Sequence, residues 1–412
     1  MHLTCFSVIL PTMTYRELEQ PKAGDRVVVG MSGGVDSTLT VLLLKERGCI
    51  VTGVTMSLWK GDLDLPSDGR ILHDSCYGPG EETDIAECRA FCQAHEIPYF
   101  VVDVKEEYQK EVLDYFKAEY RAGRTPNPCV RCNRFIKFGA LLAGIKNLGL
   151  EYDYFCTGHY AKVVRASEPV GSLYGISSLP HADETPAQIA FSSDRAKDQS
   201  YFLCRIPSAV LEKVRFPLSS YTKQEVFRIA RERGIAAAER EESQDFIPEP
   251  FLEQLFSDRP SVPGDIIDLD GNVLGRHRGI EHYTIGQRRG LGVSSSQPLY
   301  VANIDAVRNV VVLAHDSDLY CSALIAEDIV WPADFDPNCA FEALVKIRLA
   351  SKPVSARLEP YAPKSEEEFT GKPYLVTFSE PQRAVAPGQS VVFYREGVTA
   401  GGGIIAKAIG NL

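Results

Sequence analysis

The stretch 26–37 constrains the fold of this chain more than any other. Val27-Val28-Val29 is a β-branched run that stops at Gly30, and Met31-Ser32-Gly33-Gly34-Val35-Asp36-Ser37 leads straight into an apolar helical pattern over 37–45. A strand apolar at consecutive positions is buried on both faces, which requires a parallel sheet covered by helices on each side. The same alternation continues. Residues 50–56 read as a strand, 84–95 as a helix, 99–104 as a strand, 111–120 as a long helix, 125–128 as a Pro-rich turn, 136–148 as a helix and 154–157 as a strand. This order predicts the α/β class, with an N-terminal doubly wound, mostly parallel sheet.

Further along the pattern changes. Residues 166–188 are polar and predict a hairpin or loop, while 222–234 are helical by period. After Glu241, short β-like runs at 265–268, 272–274, 299–304 and 310–313 are split by Gly, Asp and Asn turns. Alternating strands then continue to the end, which predicts a C-terminal antiparallel β-barrel behind a small central linker domain. The expected division is an extension at 1–23 without firm order, an α/β domain at 24–240, a central domain at 241–298 and a barrel at 299–412. Met13 is an alternative start.

Composition narrows the function classes. The net charge of −11 argues against broad non-specific nucleic-acid binding but leaves room for a local basic face. Eleven cysteines, an odd number without secretory features, read as reduced thiols in a cytoplasmic protein. No apolar run approaches the ~20 residues of a membrane span, so no membrane partner is expected.

The loop Gly30-Met31-Ser32-Gly33-Gly34-Val35-Asp36-Ser37 has the makings of a phosphate cradle. Its glycines let backbone approach an anion, and the following helix N-terminus holds charge without a lysine. Ser32 and Ser37 can donate hydrogen bonds, and Asp36 can hold Mg2+ on a pyrophosphate. Ser-Gly-Gly-x-Asp-Ser resembles the PP-loop of ATP pyrophosphatases, whose members adenylate a carbonyl or carboxyl oxygen.

A second constellation is Thr125-Pro126-Asn127-Pro128-Cys129-Val130-Arg131-Cys132-Asn133-Arg134. Its C-x2-C pair is surrounded by Arg124, Arg131, Arg134 and Lys137, a setting expected to lower thiol pKa and to attract RNA phosphates. A zinc half-site and two buried thiols are the alternatives at this point. Cys88 and Cys92, four apart on a predicted helix, read as small core residues.

Together with Thr157-Gly158-His159-Tyr160, Lys197-Asp198-Gln199-Ser200, residues 282–292 and Pro387-Gly388-Gln389, these motifs resemble the bacterial tRNA-specific 2-thiouridylase family from about Arg26 to the C-terminus. The resemblance implies that ATP activates O2 of the wobble uridine (U34) of tRNA and that sulfur then displaces AMP, giving 2-thiouridine. It further implies that Gly30–Ser37 bind the ATP phosphates, with Met56 and Gly158 at the nucleoside. Asn127, Pro128 and Cys129 fall at target-base positions, Cys132 at the nucleophile, and His159, Lys197, Asp198, Gln199, Arg348, Leu349 and Gln389 at tRNA contacts. One departure stands out. Common members carry a second cysteine where this chain has Glu242-Ser243-Gln244-Asp245-Phe246-Ile247-Pro248. Either Cys129 replaces that thiol as a local partner of Cys132, or Cys129, Cys132 and a third cysteine (Cys76, Cys204 or Cys156) hold a [4Fe-4S] cluster. Sulfur from a protein donor or free sulfide is the partner each scheme requires. A PP-loop ligase or amidotransferase acting on a small molecule, and a non-catalytic iron–sulfur tRNA-binding protein, are the competing functions.

Overall fold

A computed structural model describes residues 14–62, 76–167, 185–239, 246–247 and 252–410. Its first layer is a five-stranded parallel sheet in the order Tyr99–Asp103, Ile50–Ser57, Arg26–Gly30, Tyr154–Cys156, Val214–Arg215. The three valines of the middle strand are almost wholly buried. Val27 and Val29 pack with Val41 and Leu44 of the helix Val35–Glu46 and with Cys88 and Cys92 of the helix Gly80–Ala94. Val28 faces the opposite core, with Val112, Phe138 and Ile145. Both faces are therefore covered, as the consecutive apolar run requires. The chain builds outward on one side of Arg26–Gly30 and then returns on the other. The crevice for ligands in such a sheet lies where this order reverses, beyond the C-terminal ends of Arg26–Gly30 and Tyr154–Cys156.

Two long helical runs cover the second face. One extends over 105–121 with a π-helical segment at Gln109–Asp114. The other runs from Pro128 to Asn147 with a π-helical segment at Asn133–Ala140. The second starts earlier than the apolar period suggested. Pro128 occupies the first turn, where its missing N–H costs nothing, and the Asn127 side chain accepts from the Val130 amide at 3.1 Å. Cys129 and Cys132 thus lie on a helical turn rather than in a loop.

The expected 166–188 hairpin forms at its base, where Ala161–Ala166 pairs antiparallel with Gln188–Phe191. Tyr15–Glu17 adds to the outer edge of this pair. That part of the expected extension is therefore an ordered strand, while residues 1–13 lie outside the described residues.

A four-stranded sheet orders Val273–His277, Gly264–Ile267, Val310–Ala314 and Tyr300–Asp305 around Ile266, Val301, Val311 and Leu313. The expected boundary at 298/299 falls inside this unit, because the strands after it alternate as barrel strands would but find their partners upstream. The barrel proper closes over six strands. Tyr320–Val330 and Ser390–Arg395 both pair with Val398–Gly410, and Tyr374–Arg383, Val354–Pro360 and Phe341–Lys346 complete the ring. Closure leaves no free edge within the ring. Among the described residues no helix is long and apolar enough to cross a membrane.

Candidate active site

The phosphate loop leaves the sheet at the point where the strand order reverses. Gly34 is extended and caps the twelve-residue helix Val35–Glu46 without a side-chain hydrogen bond, so its first-turn amides face the crevice. Ser37 Oγ donates to the Gly34 carbonyl at 3.0 Å and accepts from the Ser32 amide at 3.2 Å, which fixes the curl of the loop. These residues fit a polyphosphate. Val35 and Met31 serve the loop from behind. Both are buried, and Met31 Sδ lies 3.5 Å from Cys92 Sγ.

Asp36 is placed differently from the expectation. Its carboxylate accepts from Lys223 Nζ at 2.8 Å through each oxygen and from Tyr160 Oη at 2.7 Å. With a buried ammonium and a phenol already on it, Asp36 is the anionic half of an ion pair and does not fit a Mg2+ ligand in this arrangement. Lys223 was not singled out from sequence, although a signal was there. The Thr222/Glu225 capping box marks the start of the helix Lys223–Glu232, and a lysine in a first helical turn opposes the helix dipole. A cation held there against its local preference has a partner elsewhere.

The turn 157–160 joins the two motifs. A Cβ on Gly158 would stand 2.7 Å from the Asp36 carbonyl carbon and 2.9 Å from the Ser37 amide, so only glycine lets this turn abut the phosphate loop. The next residue, His159, receives or donates a 2.7 Å hydrogen bond at Nδ1 with Thr157 Oγ1 and packs between Phe138 and Phe216. Burial, with the nearby Lys137 charge, holds its pKa well below the usual histidine value, so the ring is neutral. Phe138 and Lys137 belong to the cysteine-bearing helical run.

The cysteine surroundings overturn the expected low thiol pKa. Arg131 donates to Glu111 at 2.8 Å and stacks over Tyr115; Arg124 pairs with Glu119; Arg134 reaches Asp328 at 3.4 Å. Three of the four cations are thereby committed, and Lys137 remains as the cation whose charge favours the thiolates of Cys129 and Cys132. Burial outweighs it. Cys129 is exposed at the surface, yet the protein packed around its thiol desolvates it and pushes it up to about 11, and the more enclosed Cys132 is pushed up to about 12.

Of the proposed third cysteines, Cys76 is the one within electrostatic range of this pair. Cys76, Cys129 and Cys132 are electrostatic neighbours of one another and of the buried Tyr108. Cys156 lies in the core under the helix Val35–Glu46, and Cys204 packs with Val130, Val392 and Tyr394. Among the described residues no three His, Cys, Asp or Glu side chains stand close enough to hold a metal ion. The thiols as placed do not fit a [4Fe-4S] cluster. Of the segment lacking the second cysteine, Phe246 and Ile247 are described, packed into the core beside Phe116.

The residues expected at tRNA contacts divide into two groups. Asp198 accepts from the Ser192 amide at 2.7 Å and from Ser200, and Gln199 Oε1 accepts from the Tyr160 amide at 2.9 Å; both brace the site from within. Gln389 Nε2 donates to the Pro126 carbonyl at 3.3 Å. Lys197 and Leu349 are exposed, and Arg348 is half-buried near Tyr201, beside Lys346. Met56 is half-buried against the core of the sheet's second face.

This fold and site define a nucleotide-using α/β protein of the PP-loop kind, with a two-cysteine helix beside its phosphate loop. Comparison with known proteins agrees and goes further. Residues 25–249 match a family described as "tRNA methyl transferase HUP domain", 249–315 its PRC-barrel domain, and 321–405 an "Aminomethyltransferase beta-barrel domain". A tRNA-specific 2-thiouridylase MnmA of Endomicrobium trichonymphae is 41% identical over 92% of this chain and 98% of its own. One of Roseiflexus sp. (strain RS-1) is 42% identical over 93% and 99%, and one of Geobacter metallireducens 38% over 94% and 98%. A solved 4-thiouridine synthetase–RNA complex with bound ATP covers 56% of this chain and 49% of its own at 16% identity and a TM-score of 0.29, too loose a likeness to carry an argument. The chain belongs to the tRNA-specific 2-thiouridylase MnmA family.

Proposed function

We propose that this protein is an ATP-dependent tRNA-uridine 2-sulfurtransferase acting on the wobble uridine. One observation carries the reading. The turn 157–160 has Gly158 against the phosphate loop and His159 against the cysteine-bearing helical run, so activation and sulfur delivery share one crevice. The uracil O2 attacks the α-phosphorus of ATP and pyrophosphate leaves. The amide-like oxygen, a poor leaving group, is thereby carried as an adenylate ester that can leave C2 as AMP. The first-turn amides of Val35–Glu46 hold the departing charge, which a Mg2+ brought in with ATP would help to neutralise.

For the sulfur step the favoured scheme is the local pair. The thiolate of one of Cys129 and Cys132 takes the terminal sulfur of a persulfidic donor protein, whose own thiolate leaves, and the resulting persulfide attacks C2 and displaces AMP. The other thiolate then attacks the sulfur still bonded to the protein, forming a Cys129–Cys132 disulfide and releasing 2-thiouridine. A thiol reductant restores the pair. Their i, i+3 spacing on one helical turn supports this exchange. The anticodon base must leave its stack to enter the crevice. The exposed Lys197 with Lys346 and Arg348 offers a cationic rim for phosphates on an otherwise acidic protein.

The test is purified protein incubated with tRNA, ATP, a thiol reductant and a small-molecule persulfide as sulfur donor, with nucleosides analysed by mass spectrometry. Formation of 2-thiouridine, with pyrophosphate release that requires tRNA, is expected. Pyrophosphate release with a small amide in place of tRNA would instead favour a ligase. Iron analysis of anaerobically purified protein separates the schemes: stoichiometric iron lost in Cys76→Ser would replace the local pair by a cluster.

A further inference from the structure

We infer that the short segment leading into the cysteine helix is held between the two accessory units, and that Gly388 of the barrel is a positioning residue for Cys129 and Cys132. The inference rests on the sulfur-transfer reading above. Four contacts converge on residues 123–126. On one side, a Cβ on Gly123 would lie 2.8 Å from the Ile304 carbonyl of the central sheet, so strand Tyr300–Asp305 presses directly on this backbone. On the other, the Thr125 amide donates to the Pro387 carbonyl at 2.7 Å, and Gln389 Nε2 donates to the Pro126 carbonyl at 3.3 Å. Between these two bonds Gly388 adopts φ +90°, and a Cβ there would meet the Thr125 amide at 2.9 Å and Arg124 Cβ at 3.0 Å.

The turn bearing Gly388 is itself fixed in the barrel, since the Gly388 amide donates to the Ile405 carbonyl and the Ile405 amide to the Gln389 carbonyl, both at 2.8 Å. The helix that follows is seated on Ser390–Arg395, the strand that this turn leads into. Val130, between the two cysteines, packs against Val392, Tyr394 and Tyr201, and Tyr201 Oη donates to the Ser390 carbonyl at 2.8 Å. Asn127 and Pro128 therefore start the helix from a point set by the barrel and the central sheet rather than by the α/β sheet alone. RNA bound across either accessory unit acts on the same backbone that aims the thiols. Gln389, at a position expected to touch tRNA, is the direct link.

The experiment compares wild type with Gly388→Ala, Gln389→Ala and, as a control for glycine strain alone, Gly271→Ala, a left-handed turn glycine with open space around it. Each is scored for iodoacetamide alkylation of Cys129 by mass spectrometry with and without tRNA, for amide exchange at Thr125, for ATP affinity and for kcat. In Gly388→Ala, alkylation and Thr125 exchange are expected to rise and kcat to fall about tenfold or more at unchanged ATP affinity, since an ångström of misplacement has effects of that order. Gly271→Ala should match wild type. If Gly388→Ala does not fold, Gln389→Ala carries the test with changes of the same direction. Wild-type alkylation, exchange and kcat in the folded variants overturn the inference. The alkylation and exchange measurements need no turnover. A protein that makes no 2-thiouridine would defeat the proposed function while leaving those two results to judge the positioning role.

Discussion

A thiol reacts through its thiolate, so the surroundings of Cys129 and Cys132 decide when the pair is active. The arginines around them are tied to Glu111, Glu119 and Asp328, and burial prevails over the single field of Lys137. With folded values near 11 and 12, both thiols are protonated at neutral pH. Their alkylation should therefore rise about tenfold per pH unit from pH 7 to 10 without a plateau. A plateau near pH 7 would mean that Lys137 or a released arginine stabilises the thiolate more than burial opposes it. The sign for stability follows. Between about 9, where unfolded thiols ionise, and these raised values, the folded chain keeps protons that the unfolded chain loses, so stability falls as pH rises through that window. Lys223 makes a second test at this scale. In Lys223→Met, Asp36 keeps Tyr160 but loses its cation, and a loss of about 1–3 kcal/mol is expected, reduced from the deep-burial range because Asp36 is partly exposed. Thermal unfolding should show that loss, and ATP binding should weaken with it. The double variant with Asp36→Asn should recover part of the stability, because the stranded charge is then gone.

Elements were legible in the sequence wherever one periodicity acted alone. The Val27-Val28-Val29 strand, the glycine loop and the amphipathic 222–234 helix follow from local rules, and the parallel sheet follows from their order. Two features were not legible, for a common reason. The strands Tyr300–Asp305 and Val310–Ala314 alternate as barrel strands do, and only the pairing of Val310–Ala314 with Gly264–Ile267 assigns the two of them elsewhere. The basic residues around the cysteines look free in one dimension, and their carboxylate partners lie from 5 to 194 residues away. Sequence shows which groups are present; pairing across the fold decides which remain available. The turn 157–160 offers the sharpest test of an element acting as a connector. Gly158→Ala places a methyl group against the Asp36–Ser37 backbone, which cannot yield as a side-chain tip could. The expected cost is about 1–3 kcal/mol of stability with a large loss of ATP binding, read by calorimetry and nucleotide titration. Normal ATP binding at unchanged stability would show that the two loops are not in register as described.

On the scale of the molecule, the barrel is continuous with the α/β unit rather than hung from it. Strand Val398–Gly410 closes the barrel and also meets Gln188–Phe191 at Val398 and Ala190; there Gln188 Nε2 donates to the Thr399 carbonyl at 3.0 Å and Thr399 Oγ1 to the Ile189 carbonyl at 3.1 Å. The charged counterpart of this seam is Asp328, a non-glycine residue at φ +45° on strand Tyr320–Val330. Its carboxylate serves both Arg134, on the cysteine-bearing run, and Arg205, which is 3% exposed and also donates to the Asp328 carbonyl at 2.8 Å. Removing the carboxylate strands the buried guanidinium, whereas replacing both partners with apolar groups does not. Asp328→Ala should therefore cost about 2–4 kcal/mol, somewhat below the value for a fully enclosed pair because Asp328 retains some contact with water. The loss should appear at the seam first. Wild type, with its shared strand and paired Asp328, is expected to unfold in one calorimetric transition. In Asp328→Ala the barrel and the α/β unit should separate into two, and adding Arg205→Met should bring them back together. A single transition merely shifted to lower temperature in Asp328→Ala would assign the coupling to the shared strand alone.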